Sequence, residues 1–155
     1  MAVTVYLSLI FLTLYLIGLA LQRWWFCRDR ARMAAETRQG GRVIARVDDI
    51  SPGSVKKFWL ICQKYRLDGF LINDRGRFHA YVNRCRHIAL TLDWVDNRFF
   101  TEDGRYIICA NHGATYEPRS GECVWGPCAG AFLQRVPLEI AEEKVYAICP
   151  DELED

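Results

Sequence analysis

The sequence predicts a small all-β domain, an antiparallel β sandwich or barrel carrying a loop-built site, preceded by one N-terminal transmembrane helix. Three observations predict it. The first 21 residues carry no charge, short apolar runs separated by turn residues fill residues 42–150, and cysteine and histidine concentrate between residues 84 and 128. With 155 residues, the chain has room for one domain of ordinary size and one short additional segment.

Residues 2–21 form an uninterrupted apolar run. A helix of this length, rising about 1.5 Å per residue, spans about 30 Å, the hydrocarbon thickness of a bilayer. A cleaved signal peptide is the alternative, because Gly18-Leu19-Ala20 resembles a small-x-small cleavage site. Against it, no positive residue precedes the run and arginines crowd directly after it. We therefore predict a single-pass anchor over residues 1–22.

Charge is segregated along the chain. Residues 22–46 hold seven arginines against two acidic residues, and residues 139–155 hold seven acidic residues against one lysine, although the formal net charge is +1. The positive-inside rule then predicts a bacterial inner-membrane protein whose C-terminal domain faces the cytoplasm. Residues 23–41 are expected to form a juxtamembrane helix and linker, and residues 151–155 an acidic tail. The near-neutral total gives no case for nucleic-acid binding.

Residues 42–150 are expected to form the β domain, because short strand-like runs alternate there with turn residues. Two hairpin turns are predicted, at Asp74-Arg75-Gly76 and at residues 141–143, and a similar turn at Glu102-Asp103-Gly104. Phe78, Ala80 and Val82 alternate onto one face of their strand. The candidate strands are residues 43–47, 54–65, 70–73, 77–83, 99–100, 106–109, 136–140 and 144–149.

Two cysteines lie next to two of the three histidines at tight spacing. The motifs are Cys85-Arg86-His87 and Cys109-Ala110-Asn111-His112, with 21 residues between them. The second continues as HGxxY to Tyr116, and Gly126-Pro127 follows. This combination resembles the Rieske iron–sulfur family over about residues 43–149, essentially the whole β domain.

The resemblance implies one Rieske-type 2Fe–2S cluster, in which two thiolates bind one iron and two imidazoles bind the other. The implied ligands are Cys85, Cys109, His87 and His112. A structural zinc site is the alternative, since two cysteines and two histidines also suit tetrahedral zinc. Zinc modules usually pair Cys with Cys and His with His, and the trailing HGxxY and GP motifs have no role there.

The resemblance also assigns residues around the cluster. Gly113 lets the backbone pass close to it, Tyr116 bonds a cysteine sulfur, and Pro127 belongs to a loop that limits water access. Ala114 stands where the Rieske proteins of cytochrome bc complexes carry a serine that bonds a cluster sulfur, which predicts a low potential for the family. The exposed imidazole edges are the expected electron port, and the docking rim consists of Arg86, Ile88, Ala89 and Pro127.

The remaining cysteines are expected to be thiols. In the cytochrome bc relatives a disulfide crosses the cluster, but its two positions here are Leu90 and Asn111. Cys123 and Cys128 are predicted to be reduced in a cytoplasmic domain, and to pair if the domain is periplasmic. We expect Cys27, Cys62 and Cys149 to act as plain small hydrophobes. We expect Trp94 to pack inside the domain, and a role in partner docking is the alternative.

These features predict a membrane-anchored, ferredoxin-like carrier of single electrons whose partners are a reductase and a membrane redox complex. The chain has no Gly-rich nucleotide-binding turn and no room for an oxygenase catalytic domain, so we expect no catalysis by it alone. One alternative is the ferredoxin or quinol-oxidising subunit of an oxygenase or a respiratory or photosynthetic complex. Another is a structural metal-binding subunit.

Overall fold

The computed structural model describes residues 41–95 and 97–152, together with Gly18 and Gln22. The predicted transmembrane segment 1–22 and the predicted linker 23–41 lie outside this part of the chain, apart from those two residues and Gly41. Among the described residues, no helix is long and apolar enough to cross a bilayer. Of the predicted acidic tail, Asp151 and Glu152 are described, and both are exposed.

The described domain consists of antiparallel strands with one short 3-10 turn, Val47–Asp49. The predicted all-β antiparallel class is confirmed. The nine strands are β1 Gly41–Arg46, β2 Val55–Cys62, β3 Tyr65–Asp74, β4 Arg77–Val82, β5 Ile107–Ile108, β6 Thr115–Tyr116, β7 Cys123–Trp125, β8 Leu138–Ala141 and β9 Lys144–Ile148. They form three sheets of three strands each, ordered β1-β9-β8, β2-β3-β4 and β5-β6-β7.

The predicted hairpin at residues 74–76 joins β3 to β4. Arg75 and Gly76 both have positive φ, at 53° and 86°, which is the conformation that favours tight two-residue hairpin turns. The predicted extended run 54–65 is wrong at its end, because β2 stops at Cys62 and β3 already starts at Tyr65. Gln63 makes this turn with φ 54°, and no Gly, Pro, Asn or Asp marks it in the sequence.

Strands β8 and β9 form the second predicted hairpin. Glu142 and Glu143, inside the predicted turn, have φ of 52° and 59°. The sequence did not predict the covalent link beside it: a disulfide joins Cys62, at the end of β2, to Cys149, after β9. The expectation that these two cysteines are plain hydrophobes is therefore wrong. Their separation of 87 residues leaves no local signal for the pairing.

The sheet β2-β3-β4, called here the central sheet, separates two hydrophobic cores, because β3 is buried on both faces. The site lies over one of these cores. Leu67 and Leu71 belong to a core shared with β1 and β9, whereas Phe70 and Ile72 belong to a second core beneath the cysteine-rich loops. Ala80 and Val82 lie in the first core with Phe78 packed against it, which confirms the predicted face of β4. The second core also holds Phe99, Ile107 and Tyr116.

Candidate metal centre

The first cysteine–histidine loop follows β4 and closes on itself. The backbone N–H of Cys85 donates to the carbonyl of Leu90 at 2.8 Å, which folds Cys85-Arg86-His87 into a tight turn. The end of the loop is tied to the central sheet through Asn83, whose side-chain oxygen accepts from the backbone N–H of Leu92 at 2.9 Å. The loop therefore has a fixed position relative to β4.

The second loop is the tip of the β5–β6 hairpin. The N–H of Cys109 donates to the carbonyl of Ala114 at 2.8 Å, and the N–H of Gly113 donates back to the carbonyl of Cys109 at 3.0 Å. Gly113 has φ +71°, a left-handed conformation that costs little only for glycine. This explains the glycine after His112 in terms of the turn itself.

Hydrogen bonds join the two loops directly. The N–H of Ala110 donates to the carbonyl of Leu92 at 2.7 Å, and the side chain of Asn111 donates to the carbonyl of Thr91 at 2.9 Å. Asn111 also accepts from the indole N–H of Trp94 at 2.8 Å. Asn111 occupies one position of the disulfide that the cytochrome bc relatives carry, so a hydrogen-bonded bridge stands here in place of a covalent one.

The four candidate ligands divide into an inner and an outer pair. Cys85 and Cys109 are buried, with 5% and 1% of their surface exposed, whereas His87 and His112 are exposed. The two imidazole rings lie edge to face with their centroids 5.0 Å apart. Two inner thiols beside two outer imidazoles are the donor set of a mixed-ligand cluster.

No group of three His, Cys, Asp or Glu side chains in the described part of the chain is arranged to hold one metal ion. A two-iron cluster with mixed ligands takes only two protein side chains at each iron. Two buried cysteines and two exposed histidines fit such a cluster by donor type and by their division into pairs.

The environments of the two thiols differ. Burial raises the pKa of Cys85, but hydrogen bonds from the Tyr116 hydroxyl and the backbone N–H of His87 outweigh it, so that its pKa lies below the ordinary value. Burial raises the pKa of Cys109 above it, and a hydrogen bond from the backbone of Asn111 opposes this only in part.

The hydroxyl of Tyr116 lies among three groups of the site. It is 3.2 Å from the sulfur of Cys85, 3.2 Å from the sulfur of Cys128, and it accepts from the backbone N–H of Arg86 at 3.2 Å. Burial and the Cys128 thiol hold the pKa of Tyr116 above its ordinary value. The phenol therefore keeps its proton and can donate it to sulfur.

The proline loop lies against the second ligand loop. Gly126 has φ +107°, and a Cβ added there would come 2.8 Å from the Cα of Ala114, which is too close for any other residue. Ala114 is fully buried and Pro127 is exposed beyond the contact. Gly126, rather than Pro127 alone, thus determines how closely the proline loop approaches the second ligand loop at Ala114.

Large apolar side chains are exposed on and beside the two ligand loops. Of the predicted docking rim, Ile88 and Ala89 are exposed and Arg86 is half-buried. Trp94 is 71% exposed, so the expectation that it packs inside is wrong: its indole N–H is held by Asn111 at the surface. Trp125, which sequence reasoning missed, is 67% exposed and lies beside Gly113.

A buried charge that the sequence analysis did not assign supports the first loop. Asp93 accepts from the side-chain amide of Asn83 at 2.8 Å and from the ammonium of Lys57 at 2.9 Å. Burial alone would raise its pKa, but these hydrogen bonds lower it below the ordinary value. An aspartate inside the apolar run 90–95 was the available signal.

A buried thiol pair and an exposed imidazole pair, on two loops of an antiparallel β domain, fit the class of mixed-ligand iron–sulfur proteins. The family model for the Rieske [2Fe-2S] domain matches residues 42–141. The chain belongs to this family, whose domain binds a 2Fe–2S cluster. No curated protein matches the chain.

Solved structures share the fold. A chain in the complex of reduced oxygenase and oxidized ferredoxin in carbazole 1,9a-dioxygenase is 22% identical, with TM-score 0.59 over 75% of this chain and 99% of that one. The ferredoxin of carbazole 1,9a-dioxygenase from Nocardioides aromaticivorans IC177 is 18% identical, with TM-score 0.55 over 70% and 97%. The terminal oxygenase from Novosphingobium sp. KA1 is 20% identical, with TM-score 0.59 over 75% of this chain, but only 31% of that oxygenase is covered. At these identities the likeness is one of fold.

Proposed function

We propose that this chain is a one-electron carrier whose cluster is held by Cys85 and Cys109 on one iron and by His87 and His112 on the other. The observation that carries the proposal is the division of these residues into a buried sulfur pair and an exposed imidazole pair. When bound, the cluster supplies a one-electron redox couple.

The protein's own groups have distinct tasks in this proposal. Burial of the two thiols shields the sulfur side from water, and the exposed imidazoles give a partner protein a short route to the metal. This partner can also contact the exposed apolar side chains of Ile88, Trp94 and Trp125, which lose water readily on contact. The Tyr116 hydroxyl donates toward Cys85 and so stabilises the more negative, reduced state.

We expect a potential in the lower part of the Rieske range of roughly −150 to +300 mV. Ala114 cannot donate a hydrogen bond through its side chain. Asn111 approaches the Cys109 sulfur only at 3.6 Å, a weaker contact than that of Tyr116 with Cys85. Fewer donors to the sulfurs mean less stabilisation of the reduced state.

The proposal further places the domain on the bacterial inner membrane through residues 1–22, on the strength of their apolar run alone. The arginines after that run favour a cytoplasmic domain. The Cys62–Cys149 disulfide favours the opposite orientation, because such bonds persist in oxidising compartments.

Labelling decides between the two orientations. A Glu102→Cys variant places a thiol on an exposed turn, and the parent chain is the background control. If the domain is cytoplasmic, a membrane-impermeant maleimide labels this thiol only after spheroplasts are lysed. Labelling of intact spheroplasts would place the domain outside. A chain that washes from membranes with carbonate would contradict anchoring.

A second candidate is the ferredoxin component of an oxygenase system. It is favoured by the structural match to a carbazole 1,9a-dioxygenase ferredoxin over 97% of that chain. In this case the partners are a reductase and an oxygenase in place of a membrane redox complex. Electron transfer to a soluble oxygenase component, measured with and without residues 1–40, separates the two candidates.

The direct test of the cluster is EPR of the dithionite-reduced protein together with iron and sulfide analysis. We expect a rhombic signal of low average g value and about two iron atoms and two acid-labile sulfides per chain. Bound zinc, or a visible spectrum unchanged by dithionite, would instead show a structural metal module.

A further inference from the structure

A second pair of cysteines lies beside the candidate ligands. The sulfurs of Cys123 and Cys128 are 3.2 Å apart and are not bonded to each other. We propose that Cys123 and Cys128 are a redox-active dithiol that low-molecular-weight disulfides oxidise to an intramolecular disulfide. The dithiol does not rest on the proposed function.

The backbone holds both cysteines in one compact turn. The N–H of Cys123 donates to the carbonyl of Ala131 at 2.7 Å, that of Gly130 to Cys123 at 2.8 Å, and that of Ala131 to Cys128 at 3.0 Å. A disulfide requires a sulfur–sulfur distance of about 2.05 Å, so the pair closes by about 1 Å. Side-chain rotation covers such a distance while the turn stays intact.

Exposure assigns the two cysteines different roles in the exchange. Cys128 is half-buried and Cys123 is almost fully buried, so an external disulfide reaches Cys128 first. The Cys128 thiolate attacks one sulfur of RSSR, and RSH leaves with the proton that Cys128 gave up. Cys123 then attacks the Cys128 sulfur of the mixed disulfide, and the second RSH leaves. One external disulfide is reduced to two thiols as the protein dithiol is oxidised.

The hydrogen bonds of the pair show where both thiol protons lie. The Cys123 thiol donates toward the carbonyl of Trp125 at 3.3 Å, and the Cys128 thiol donates toward the Cys123 sulfur at 3.2 Å. The Cys128 sulfur in turn accepts from the Tyr116 hydroxyl at 3.2 Å. Both thiol protons leave with the two RSH molecules when the sulfurs of Cys123 and Cys128 join.

Trypsin provides a clean readout of the dithiol. Residues 120–135 lie between Arg119 and Arg135, contain no internal Lys or Arg, and hold Cys123 and Cys128 as their only cysteines. The holoprotein is equilibrated with mixtures of reduced and oxidised glutathione, alkylated and digested. We expect this peptide to change from doubly alkylated to unalkylated and two hydrogen masses lighter as oxidised glutathione increases.

The Cys123→Ser variant is the matched control, because it keeps the Cys128 thiol but cannot form the intramolecular bond. Under excess oxidised glutathione its peptide should instead carry one glutathione as a mixed disulfide on Cys128.

Two results overturn the dithiol. One is a parent peptide that stays doubly alkylated at all glutathione ratios, and the other is a parent peptide that accumulates bound glutathione in place of the intramolecular bond. Absence of a Rieske EPR signal in the same samples contradicts the proposed function, while the peptide mass still reports on the dithiol.

Discussion

The two halves of the domain are stabilised in different ways. In the scaffold, six strands of four to ten residues pair in antiparallel ladders, with one register shift between Val43 and Ala45 of β1. The Cys62–Cys149 disulfide joins the two sheets of this scaffold. In the site region, β5, β6 and β7 have only two or three residues, and all four cysteines are free. The scaffold cysteines form a disulfide that stabilises the fold, whereas the site cysteines are thiols that can bind metal or exchange with disulfides.

The site region replaces long strands with a core of its own and with loop hydrogen bonds. Phe99 stacks on Phe70 of β3 with ring centroids 4.3 Å apart, which attaches this core to the central sheet. Asn111 and Asp93 then tie the ligand loops to each other and to the scaffold. Changes in the scaffold should therefore affect stability, and changes in the site should affect the cluster.

The largest effect is expected from a ligand sulfur. Replacing Cys109 with serine removes a thiolate that iron needs, so we expect iron and labile sulfide to fall to background and the EPR signal to vanish. Cys123→Ser, which removes a buried thiol of the same region, serves as the control and should keep its cluster. A normal EPR signal from Cys109→Ser would contradict the ligand assignment.

The scaffold disulfide should contribute stability without tuning the cluster. The double variant Cys62→Ala, Cys149→Ala opens a link across 87 residues, and we expect the free energy of unfolding to fall by about 2–4 kcal/mol. Urea unfolding measures this, and a redox titration should give an unchanged midpoint. A shifted midpoint would mean that the two halves are not separable in this way.

Asp93 lies at the junction of the two halves, and its replacement by asparagine should have an intermediate effect. The variant removes the ion pair between Asp93 and Lys57, and we expect a loss of about 1–3 kcal/mol in unfolding free energy at neutral pH.

The effect of Asp93→Asn should depend on pH. Because the folded pKa of Asp93 is lowered, its contribution is fully present above the unfolded pKa of about 3.9 and is lost as the pH falls through the folded value. Unfolding curves of the two proteins should therefore converge in acid. A stability difference that stays constant down to pH 2 would contradict this account.

The smallest effect is expected from one hydrogen bond to sulfur. Tyr116→Phe removes the hydroxyl beside Cys85, and we expect the cluster potential to fall by about 40 mV, equivalent to about 1 kcal/mol. Tyr106→Phe, a half-buried tyrosine beside Arg105, is the control. A higher potential in Tyr116→Phe would reverse the sign proposed for this contact.

What the sequence could predict was local. The hairpins at residues 74–76 and 141–143 are marked by turn residues or by apolar runs on both sides, and the ligand motifs have their information within three or four residues. The sequence did not predict the start of β3 at Tyr65, because Gln63 adopts a left-handed turn conformation that glutamine rarely takes.

The features that the sequence did not reveal depend on distant contacts. The Cys62–Cys149 bond joins residues 87 positions apart. The approach of Cys128 to Tyr116 follows from the turn at Gly126 against Ala114, and the outward position of Trp94 follows from its bond to Asn111. Each requires the two loops to be folded together before it can be recognised.

The midpoint potential of the cluster tests the proposed carrier most directly. The buried Ala114, with Tyr116 as the main side-chain donor to the ligand sulfurs, predicts a value in the lower part of the Rieske range, well below about +200 mV. EPR-monitored titration of the purified protein measures it. A midpoint above about +200 mV would contradict the account and would indicate a quinol-oxidising centre.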